Sequence, residues 1–493
     1  MAINNMENKF YITTPIYYVN DRPHIGHAYT TVAADVLARY HRLINDEVFF
    51  LTGTDEHGKK VFDSAIKAGK SPQEFTDEVA ADFQDVWKTL NISNDFFIRT
   101  TADEHKKRVQ EIFTKLKEAK TPLGNDVLYE GEYKGLYCTG CERFLTEKEL
   151  VDGKCPDHKV APEQIAEKNY FFRLTDFLPK IQKRIENDDL KILPAKRKAE
   201  VLGLFKQGLD DFSVSRESVS WGVDLPFDTT QKAYVWVDAL SNYITALGYP
   251  PYAKATGGKP DDSEKFKTFW PADLQLMAQD ILKFHAIYWP AILLALGVEL
   301  PKAEFIHGFF TINGQKMSKS VGKVIDPRDL VKKYTVDVTR YLLLSQFSFG
   351  SEADVQEERF DEKYNADLAN GLGNLVARVS NLLEKDNIEV NIKIGSDEEL
   401  KKHFDNVLKE FKIDEGLKLL WDKLRKADEI ISAKKPWEIK DLNEKKAVLE
   451  PIAQDILNVA ELLQVYIPET AAKIIKQFSE KNIKKGELLF PRI

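Results

Sequence analysis

The segment N-D-R-P-H-I-G-H, residues 20–27, concentrates side chains that can bind phosphate. His24 and His27 lie three residues apart around Gly26. If a helix begins near Gly26, both imidazoles lie at its N-terminus, where unpaired N–H groups and the helix dipole favour a phosphate. A glycine there lets a base or a ribose lie against the backbone. By itself the pattern is weak evidence for a phosphate site, because two half-exposed histidines in a loop would give the same sequence pattern. A zinc site is disfavoured, because no third ligand lies nearby in the sequence.

A second segment, K-M-S-K-S at residues 316–320, places Lys316 and Lys319 around small side chains. Lysines are mobile positive charges suited to a pyrophosphate, and the serines allow the loop to close over it. Alone, this segment is equally compatible with a solvated basic loop. Together the histidine pair and the lysine pair are far more specific, and they predict one site for the phosphates of a nucleotide.

All three cysteines of the chain lie in one short segment. Cys138, Cys141, Cys155 and His158 form the pattern C-x2-C-x13-C-x2-H, which suits a tetrahedral zinc ion. Four protein ligands without an open position predict a structural ion and a knuckle that loses its shape under chelation. The alternative is a redox C-x-x-C pair. A finger that reads nucleic acid is disfavoured because no recognition helix fits between the ligand pairs.

The flanking residues predict the elements that position the histidines. Residues 9–19, K-F-Y-I-T-T-P-I-Y-Y-V, are typical of a buried strand, and E-V-F-F-L-T-G at 47–53 of a second. Between them, Val32, Val36 and Leu37 recur at helical spacing. Such a unit predicts a parallel sheet wound by helices, whose ligands bind beyond the carboxyl ends of the strands. The histidine segment and G-T-D-E-H-G are therefore expected at the same edge.

The length of 493 residues predicts several domains in an α/β protein, followed by an all-α region. The catalytic fold is expected to be Rossmann-like and interrupted by a small module that holds the metal knuckle. The C-terminal residues have helical periodicity almost throughout, which predicts a helix bundle. The predicted boundaries are 1–120 and 201–325 for the two halves of the wound domain, 121–200 for the connective module with its knuckle at 138–158, 326–360 for a linker, and 361–493 for the bundle.

Composition narrows the class of protein. A net charge of −8 provides no global basic surface for nucleic acid, although local patches remain possible. No apolar run follows a basic start, so no signal peptide is expected. The most apolar segment, 284–298, is too short for a membrane span and contains Pro290, so it predicts a buried helix. Three cysteines cannot all pair, which favours a reducing cytoplasm.

The combination of H-I-G-H and K-M-S-K-S resembles the class I aminoacyl-tRNA synthetases. With T-G-T-D-E-H-G, Y-V-W-V-D-A-L-S-N-Y-I and the single metal knuckle, the chain is similar to the bacterial methionyl-tRNA synthetases over essentially its whole length. The resemblance implies a methionine–tRNA ligase, which activates L-methionine with ATP and Mg²⁺ and transfers it to elongator and initiator tRNA(Met). It also implies one structural zinc ion per chain, a cytoplasmic location, no membrane contact and a monomer, since the chain ends at L-F-P-R-I before any appended domain.

The resemblance also assigns roles to individual residues. The triphosphate, the adenosine and the leaving pyrophosphate are expected to contact His24, Gly26, His27, Lys316, Met317, Ser318 and Lys319, of which the two histidines and the two lysines are catalytic. Catalysis would then consist of positioning and charge stabilisation, because the substrate carboxylate is the attacking group. The methionine pocket is expected to comprise Ile16, Tyr18, Asp55, Arg216, Trp236, Ala239, Leu240, Tyr243, Ile281 and His285.

Within this pocket, Asp55 would accept the α-ammonium group and Arg216 would orient Asp55. Tyr18 and His285 would form hydrogen bonds near the sulfur and help to reject leucine and isoleucine. Taken singly, an apolar Trp236 is more often core and an aspartate at a strand end is more often a helix cap. The ordered set favours the functional interpretation.

The bundle carries three candidate contacts to unpaired RNA. Asn374 and Arg378 are four residues apart on a polar helix face, and Trp437 offers a ring for stacking. The resemblance assigns all three to the anticodon. Without it, a solvated polar face and a surface tryptophan explain them as well. Residues 361–493 hold 23 basic and 25 acidic side chains, so base contacts rather than charge should dominate binding.

Two positions depart from the family pattern. Ala278 and Gln279 stand where the family usually has Gly-Lys, which removes a lysine near the substrate mouth. Gly322 and Lys323 stand where Gly-Asn is common, and they keep that region basic. Two other hypotheses remain open, a non-catalytic tRNA-binding relative and a class I synthetase for another apolar amino acid.

Overall fold

The computed structural model describes residues 8–20, 22–145, 147–156, 158–250, 262–312, 315–316 and 324–493. The chain divides into two compact units. The first comprises Met1–Pro23, Asp46–Asp85 and Asn94–His307, and the second His24–Asn45, Val86–Ser93 and Gly308–Ile493. The helix that begins after His24 thus belongs to the same unit as the C-terminal helices, which no periodicity along the chain indicates.

Sixteen strands are present in the part of the chain that the structure describes. They are β1 (Lys9–Tyr18), β2 (Glu47–Asp55), β3 (Phe96–Arg99), β4 (Leu128–Cys138), β5 (Arg143–Leu145), β6 (Glu163–Phe172), β7 (Lys191–Leu193), β8 (Phe212–Ser213), β9 (Ser215–Arg216), β10 (Asp224–Leu225), β11 (Asp228–Ala233), β12 (Leu274–Ala278), β13 (Ala303–His307), β14 (Phe310–Ile312), β15 (Gln315–Lys316) and β16 (Ala353–Val355).

Seventeen α-helices lie in the same described ranges. They are α1 (Ile25–Leu43), α2 (Lys59–Lys67), α3 (Pro72–Thr89), α4 (Asp103–Glu118), α5 (Leu178–Glu186), α6 (Ala195–Gln207), α7 (Val235–Thr245), α8 (Asp262–Phe269), α9 (Trp289–Ala295), α10 (Pro327–Tyr334), α11 (Val336–Ser345), α12 (Glu357–Lys363), α13 (Asn374–Lys385), α14 (Glu398–Lys409), α15 (Ile413–Lys434), α16 (Leu442–Leu463) and α17 (Pro468–Phe478). Two π-helical segments, Phe284–Tyr288 and Tyr364–Gly373, precede α9 and α13.

The first unit is built on a six-stranded sheet in the order β3-β2-β1-β12-β13-β7. Every neighbouring pair is parallel. The strand order changes direction between β1 and β12, and ligands of wound sheets bind at the carboxyl ends next to such a reversal. The predicted Rossmann-like sheet is therefore confirmed, with its first two strands close to the predicted bounds.

A four-stranded antiparallel sheet in the order β5-β4-β6-β8 is inserted into this unit. β4 and β6 pair over ten residues, and β4 ends at Cys138, so the long hairpin carries the cysteine segment. The predicted buried helix at 284–298 is present as a helical run that comprises the first π-helical segment and α9 and ends at Ala295, with Pro290 two residues after the π-helical segment. No helix in the described ranges is long and apolar enough to cross a membrane.

The second unit is mainly helical, as predicted for the C-terminal region. Leu368, Leu372, Leu375 and Val379 are all buried and form an apolar face along the helical run that leads into α13. A buried ion pair ties α1 to α11, because Arg340 lies 2.7 Å from Asp35 with both side chains fully buried. Removing one partner of such a pair leaves an unpaired buried charge and costs about 3–5 kcal/mol.

Candidate functional site

The carboxyl ends of β1 and β2 bring Tyr18 and Asp55 side by side in register. Helix α7 begins directly after Tyr234 and supplies a second side of the same region. The π-helical segment Phe284–Tyr288 supplies a third, and π-helical turns are frequent at functional sites. All these elements belong to the first unit.

The predicted pocket residues divide into two groups by exposure. Four apolar or aromatic side chains pack on the main core yet keep part of their surface exposed, which is typical of a cleft wall. Trp236 stacks on Phe284 with ring centroids 3.8 Å apart and planes at 7°. The half-buried group is Ile16, Tyr18, Trp236 and Ile281, and the buried group is Ala239, Leu240, Tyr243 and His285.

Both ring nitrogens of His285 have partners. Nδ1 lies 3.1 Å from the carbonyl oxygen of Ile281, which can only accept, so Nδ1 carries the proton. Burial lowers the pKa of His285 to about 4, so the ring is neutral. The Tyr243 hydroxyl, 2.7 Å away, therefore donates to Nε2. In this arrangement His285 has no proton to give to a sulfur atom.

Asp55 is a buried carboxylate in a strongly negative environment. Burial and then the carboxylates of Asp238, Glu142 and Glu56 hold its pKa well above the ordinary value. Its Oδ1 has no hydrogen-bond partner among the described residues. An unpartnered buried oxygen among three further carboxylates favours the binding of a cation with N–H donors.

Two buried histidines hold Asp238 in place. Its Oδ2 lies 2.7 Å from Nδ1 of His57 and its Oδ1 lies 2.9 Å from Nε2 of His105. Burial raises the pKa of Asp238, but the two histidines lower it by more, to about 2. This carboxylate is therefore a permanent negative charge near Asp55. No sequence pattern indicates this network, because His105 and His57 are 133 and 181 residues from Asp238.

Arg216 forms a bidentate ion pair with Glu167, in which Nε and Nη2 each donate to one carboxylate oxygen at 2.9 Å. Its guanidinium also lies 4.0 Å from the centre of the Tyr137 ring. The sequence analysis did not identify Glu167. The remaining nitrogen, Nη1, has no hydrogen-bond partner among the described residues. Orientation of Asp55 by Arg216 stays a prediction.

The four predicted metal ligands converge on one point, with all ligand atoms within 4.8 Å of one another. Sγ of Cys138 lies 3.9 Å from Nδ1 of His158, and the sulfurs of Cys141 and Cys155 lie 3.7 Å apart. Zinc–sulfur bonds of about 2.3 Å give tetrahedral edges of about 3.8 Å, so the set fits a tetrahedral zinc ion. Gly140 is required in the turn, since a Cβ there would lie 2.5 Å from the His158 ring.

In the second unit, His24 caps helix α1 together with His27. The backbone N–H of Gly26 donates to Nδ1 of His24 at 3.1 Å, and that of His24 donates to Nδ1 of His27 at 3.3 Å. The rings stack with centroids 3.7 Å apart. Burial and then His24 hold the pKa of His27 well below its usual value. Each ring therefore carries its proton on Nε2, the nitrogen suited to donate to a phosphate oxygen.

The lysine segment itself lies mostly outside the described residues: Met317, Ser318, Lys319, Gly322 and Lys323 are not described, nor is the side chain of Lys316. Its two flanks are described, and both contact α1.

On one side of that segment, the Phe310 ring of β14 lies 4.8 Å from the Tyr29 ring, and β14 pairs with β15 through Thr311 and Lys316. On the other side, the carbonyl of Ile325 accepts from the Ile25 N–H at 3.1 Å. The second unit therefore brings both ends of the lysine segment to the helix that the histidine segment begins.

Two of the three predicted anticodon residues lie together. The guanidinium of Arg378 lies 5.4 Å from the centre of the Trp437 ring, and Nη1 donates to Asp428 at 2.8 Å. Trp437 keeps 47% of its surface exposed, so one ring face is open to solvent. Asn374, also exposed, lies one helical turn before Arg378 on α13.

Comparison with known proteins decides the family. The model of the family described as tRNA synthetases class I (M) matches residues 10–164 and 158–380. A methionine–tRNA ligase of Caldanaerobacter subterraneus is 42% identical over 99% of this chain and 79% of its own length. The chain belongs to the methionyl-tRNA synthetase family.

A further relative and a solved structure support the same family. A methionine–tRNA ligase of Thermotoga maritima is 42% identical over 97% of this chain and 76% of its own length. The solved structure of Mycobacterium tuberculosis methionyl-tRNA synthetase in complex with methionyl-adenylate superposes with a TM-score of 0.88 at 34% identity, over 98% of this chain and all of that one. The family, fold class and enzyme class predicted from the sequence are confirmed.

Proposed function

We propose that this chain activates L-methionine with ATP and transfers it to the 3′ end of tRNA(Met). Asp55 carries the proposal: a buried carboxylate with an unpartnered oxygen, in register with Tyr18 of the predicted pocket and among other carboxylates. An amino acid with an apolar side chain supplies both an α-ammonium for the carboxylate and a chain for the pocket. Met is long, unbranched and apolar, which suits the aromatic and aliphatic walls.

In the activation step, a carboxylate oxygen of the amino acid attacks the α-phosphorus of ATP. The bond from that phosphorus to the bridging oxygen breaks, and pyrophosphate leaves with its Mg²⁺. His24 and His27 donate from Nε2 to the phosphates, and Lys316 and Lys319 balance the charge that grows on the leaving group. Gly26 contacts the adenosine. The chain supplies positioning and charge, and no nucleophile.

The test is exchange of labelled pyrophosphate into ATP with each free amino acid in turn. We expect exchange with methionine and none of comparable efficiency with leucine, isoleucine, valine or cysteine. Exchange with one of these instead would support the synthetase for another apolar amino acid. No exchange at saturating ATP, with tRNA binding intact, would support the non-catalytic relative.

For the metal knuckle we propose one structural zinc ion per chain, bound by the three cysteines and Nδ1 of His158. Elemental analysis should find one zinc per chain, and Cys155→Ser should lose it together with the ordered knuckle, because metal binding supplies the folding free energy of such a module. Asp152→Asn, an exposed change in the same hairpin, should keep the metal. A zinc-free chain whose knuckle resists proteolysis would contradict a structural role.

For the bundle we propose that Asn374, Arg378 and Trp437 bind the anticodon of elongator and initiator tRNA(Met). Trp437→Ala should leave pyrophosphate exchange unchanged and raise KM for tRNA about 10- to 100-fold, since base stacking is worth roughly 1–3 kcal/mol. Leu442→Ala, an equally exposed apolar change on α16 (Leu442 is 53% exposed), is the control. Loss of exchange in the Trp437 variant would contradict the assignment.

The remaining proposals concern the cellular compartment and the oligomeric state. Every cysteine of the chain belongs to the proposed zinc site, so none needs an oxidising compartment, and we propose a cytoplasmic monomer. Sedimentation of the purified chain at micromolar concentration tests the oligomeric state.

A further inference from the structure

We propose that Glu142 is a positioning residue that couples the metal knuckle to the amino acid pocket by fixing Tyr18. The proposal rests on the proposed function, in which Tyr18 lines that pocket. Glu142 directly follows the knuckle ligand Cys141 and is only 4% exposed. Its φ of +48° lies in the left-handed region, which a non-glycine residue adopts only where the surroundings hold it.

The carboxylate of Glu142 accepts hydrogen bonds from three separate elements. Oε1 accepts from the Tyr18 hydroxyl at the end of β1, at 3.0 Å, and from the backbone N–H of Lys60 in the first turn of α2, at 2.7 Å. Oε2 accepts from the hydroxyl of Tyr137, the residue before Cys138. One side chain thus joins the knuckle, a helix N-terminus and the mouth of the pocket.

The backbone of Glu142 holds a second side of the pocket. Its carbonyl oxygen accepts from the Tyr234 hydroxyl at 2.8 Å. Tyr234 is the N-cap residue of α7, the helix that presents Trp236 and Tyr243. The turn at Glu142 therefore contacts both β1 and α7, the two elements that carry the predicted pocket residues Tyr18 and Trp236.

The packing around this carboxylate leaves no room for a side chain at position 58. Gly58 has a φ of +105°, and a Cβ there would lie 2.8 Å from the Tyr18 hydroxyl oxygen and 2.9 Å from Oε1 of Glu142. The ammonium group of Lys60 also donates to the carbonyl of Gly140 in the knuckle turn, at 2.9 Å. Two contacts between α2 and the knuckle therefore fix the position of Glu142.

This arrangement decides what the Tyr18 hydroxyl can do. It has one proton and gives it to Glu142, so towards a ligand its oxygen can only accept a hydrogen bond. A thioether sulfur offers no proton, whereas an α-ammonium group offers three. While this bond is in place, Tyr18 offers a ligand an acceptor beside Asp55, and the predicted hydrogen bond to the sulfur requires the bond to Glu142 to break.

The experiment compares Glu142→Gln and Glu142→Ala with Glu163→Gln. Glu163 is a matched control, since its exposed carboxylate accepts only from Thr139 in the same knuckle turn among the described hydrogen bonds. Exchange kinetics give KM for methionine and kcat. We expect Glu142→Ala to raise KM for methionine at least about tenfold, because a hydrogen bond to a charged group is lost. The variant should change kcat less than threefold and retain one zinc per chain. Glu163→Gln should behave like wild type.

A second experiment tests the coupling between the metal knuckle and methionine binding. Chelation of the wild type should raise KM for methionine by about the same factor as Glu142→Ala, and chelation of that variant should add little, because both changes remove the same connection. An unchanged KM in Glu142→Ala, or fully additive effects, would overturn the inference. Equal losses in kcat, KM and Tm would also overturn it, in favour of a general folding role.

If Glu142→Ala does not fold, Glu142→Gln gives the same comparison, since an amide keeps the volume and presents N–H groups where donors already point. Failure of this inference is distinct from failure of the proposed function. Wild type without any methionine-dependent exchange would refute the function, whereas normal exchange with an unaltered KM in the variants would refute only the role of Glu142.

Discussion

Asp55→Asn is expected to raise KM for methionine by about 100-fold while increasing the free energy of unfolding at neutral pH. The first effect follows from loss of the charge that accepts the α-ammonium group, because charge-assisted hydrogen bonds in a buried site are worth about 1.5–3 kcal/mol each. The second follows from relief of repulsion, since Asp55 lies among Asp238, Glu142 and Glu56.

The sign of the stability effect follows from proton linkage. The folded chain holds the pKa of Asp55 above its ordinary value of 3.8, so it binds this proton more tightly than the unfolded chain does. Asp55 therefore lowers the free energy of unfolding progressively as pH rises from about 3.8 through the folded pKa. Asparagine carries no such charge, and the variant should lose this part of the pH dependence.

Urea unfolding between pH 4 and pH 8, together with exchange kinetics, measures both effects. Asp63→Asn is the control: this aspartate is exposed on α2, where it pairs with Lys59, and its loss should change neither KM nor the pH slope appreciably. An Asp55→Asn variant that binds methionine normally would rule out the ammonium-binding role, and one that is destabilised at neutral pH would contradict the inferred repulsion among the carboxylates.

Lys316→Ala is expected to lower kcat for pyrophosphate exchange about 100- to 1,000-fold, as for loss of one group that stabilises charge in a transition state. The dissociation constant of methionine should change less than twofold, because the pyrophosphate charge develops only during the reaction. The structure supports this role through the flanks of the segment, since Phe310 and Ile325 both contact the helix that begins after His24.

Single-turnover kinetics with tryptophan fluorescence or labelled ATP separate binding from chemistry. Lys332→Ala, which removes an exposed lysine from the first helix after the loop, should behave as wild type. Equal losses in methionine affinity and in rate for the Lys316 variant would show that this lysine acts in the ground state, and a role confined to pyrophosphate would then be wrong.

Much of the fold was predictable from local patterns. The first two strands and the buried face at Leu368, Leu372, Leu375 and Val379 follow from alternation and helical spacing, which are set by neighbours two to four residues away. The metal ligands were predictable for a similar reason, because short spacings within each pair leave few geometries. The assignment of helix α1 to the unit of the C-terminal helices was not predictable, since it depends on contacts such as the ion pair of Asp35 with Arg340.

The fold brings the predicted pocket residues into one unit, while their roles stay predictions. They lie near the carboxyl ends of β1 and β2, on β9, on α7, and at Ile281 and His285 around the start of the π-helical segment. The hydrogen bonds were not foreseen: Tyr18 gives its proton to Glu142, and His285 receives one from Tyr243. Arg216 pairs with Glu167, 49 residues away. Roles near the sulfur assigned to Tyr18 and His285 stay predictions, and they require these bonds to rearrange.

By itself, the sequence determined the family, the parallel strands and the Cys3His cluster, and it predicted the two phosphate-binding segments, because each is encoded by residue types at short, fixed spacings. Only the tertiary structure decided that Asp238 and Glu142 lie near Asp55, and that Glu142 joins the knuckle to the pocket. These features arise from groups brought together across 80 or more residues, for example Tyr18 and Glu142, which are 124 positions apart. Their hydrogen bonds depend on how separate elements pack, and no local pattern records that packing.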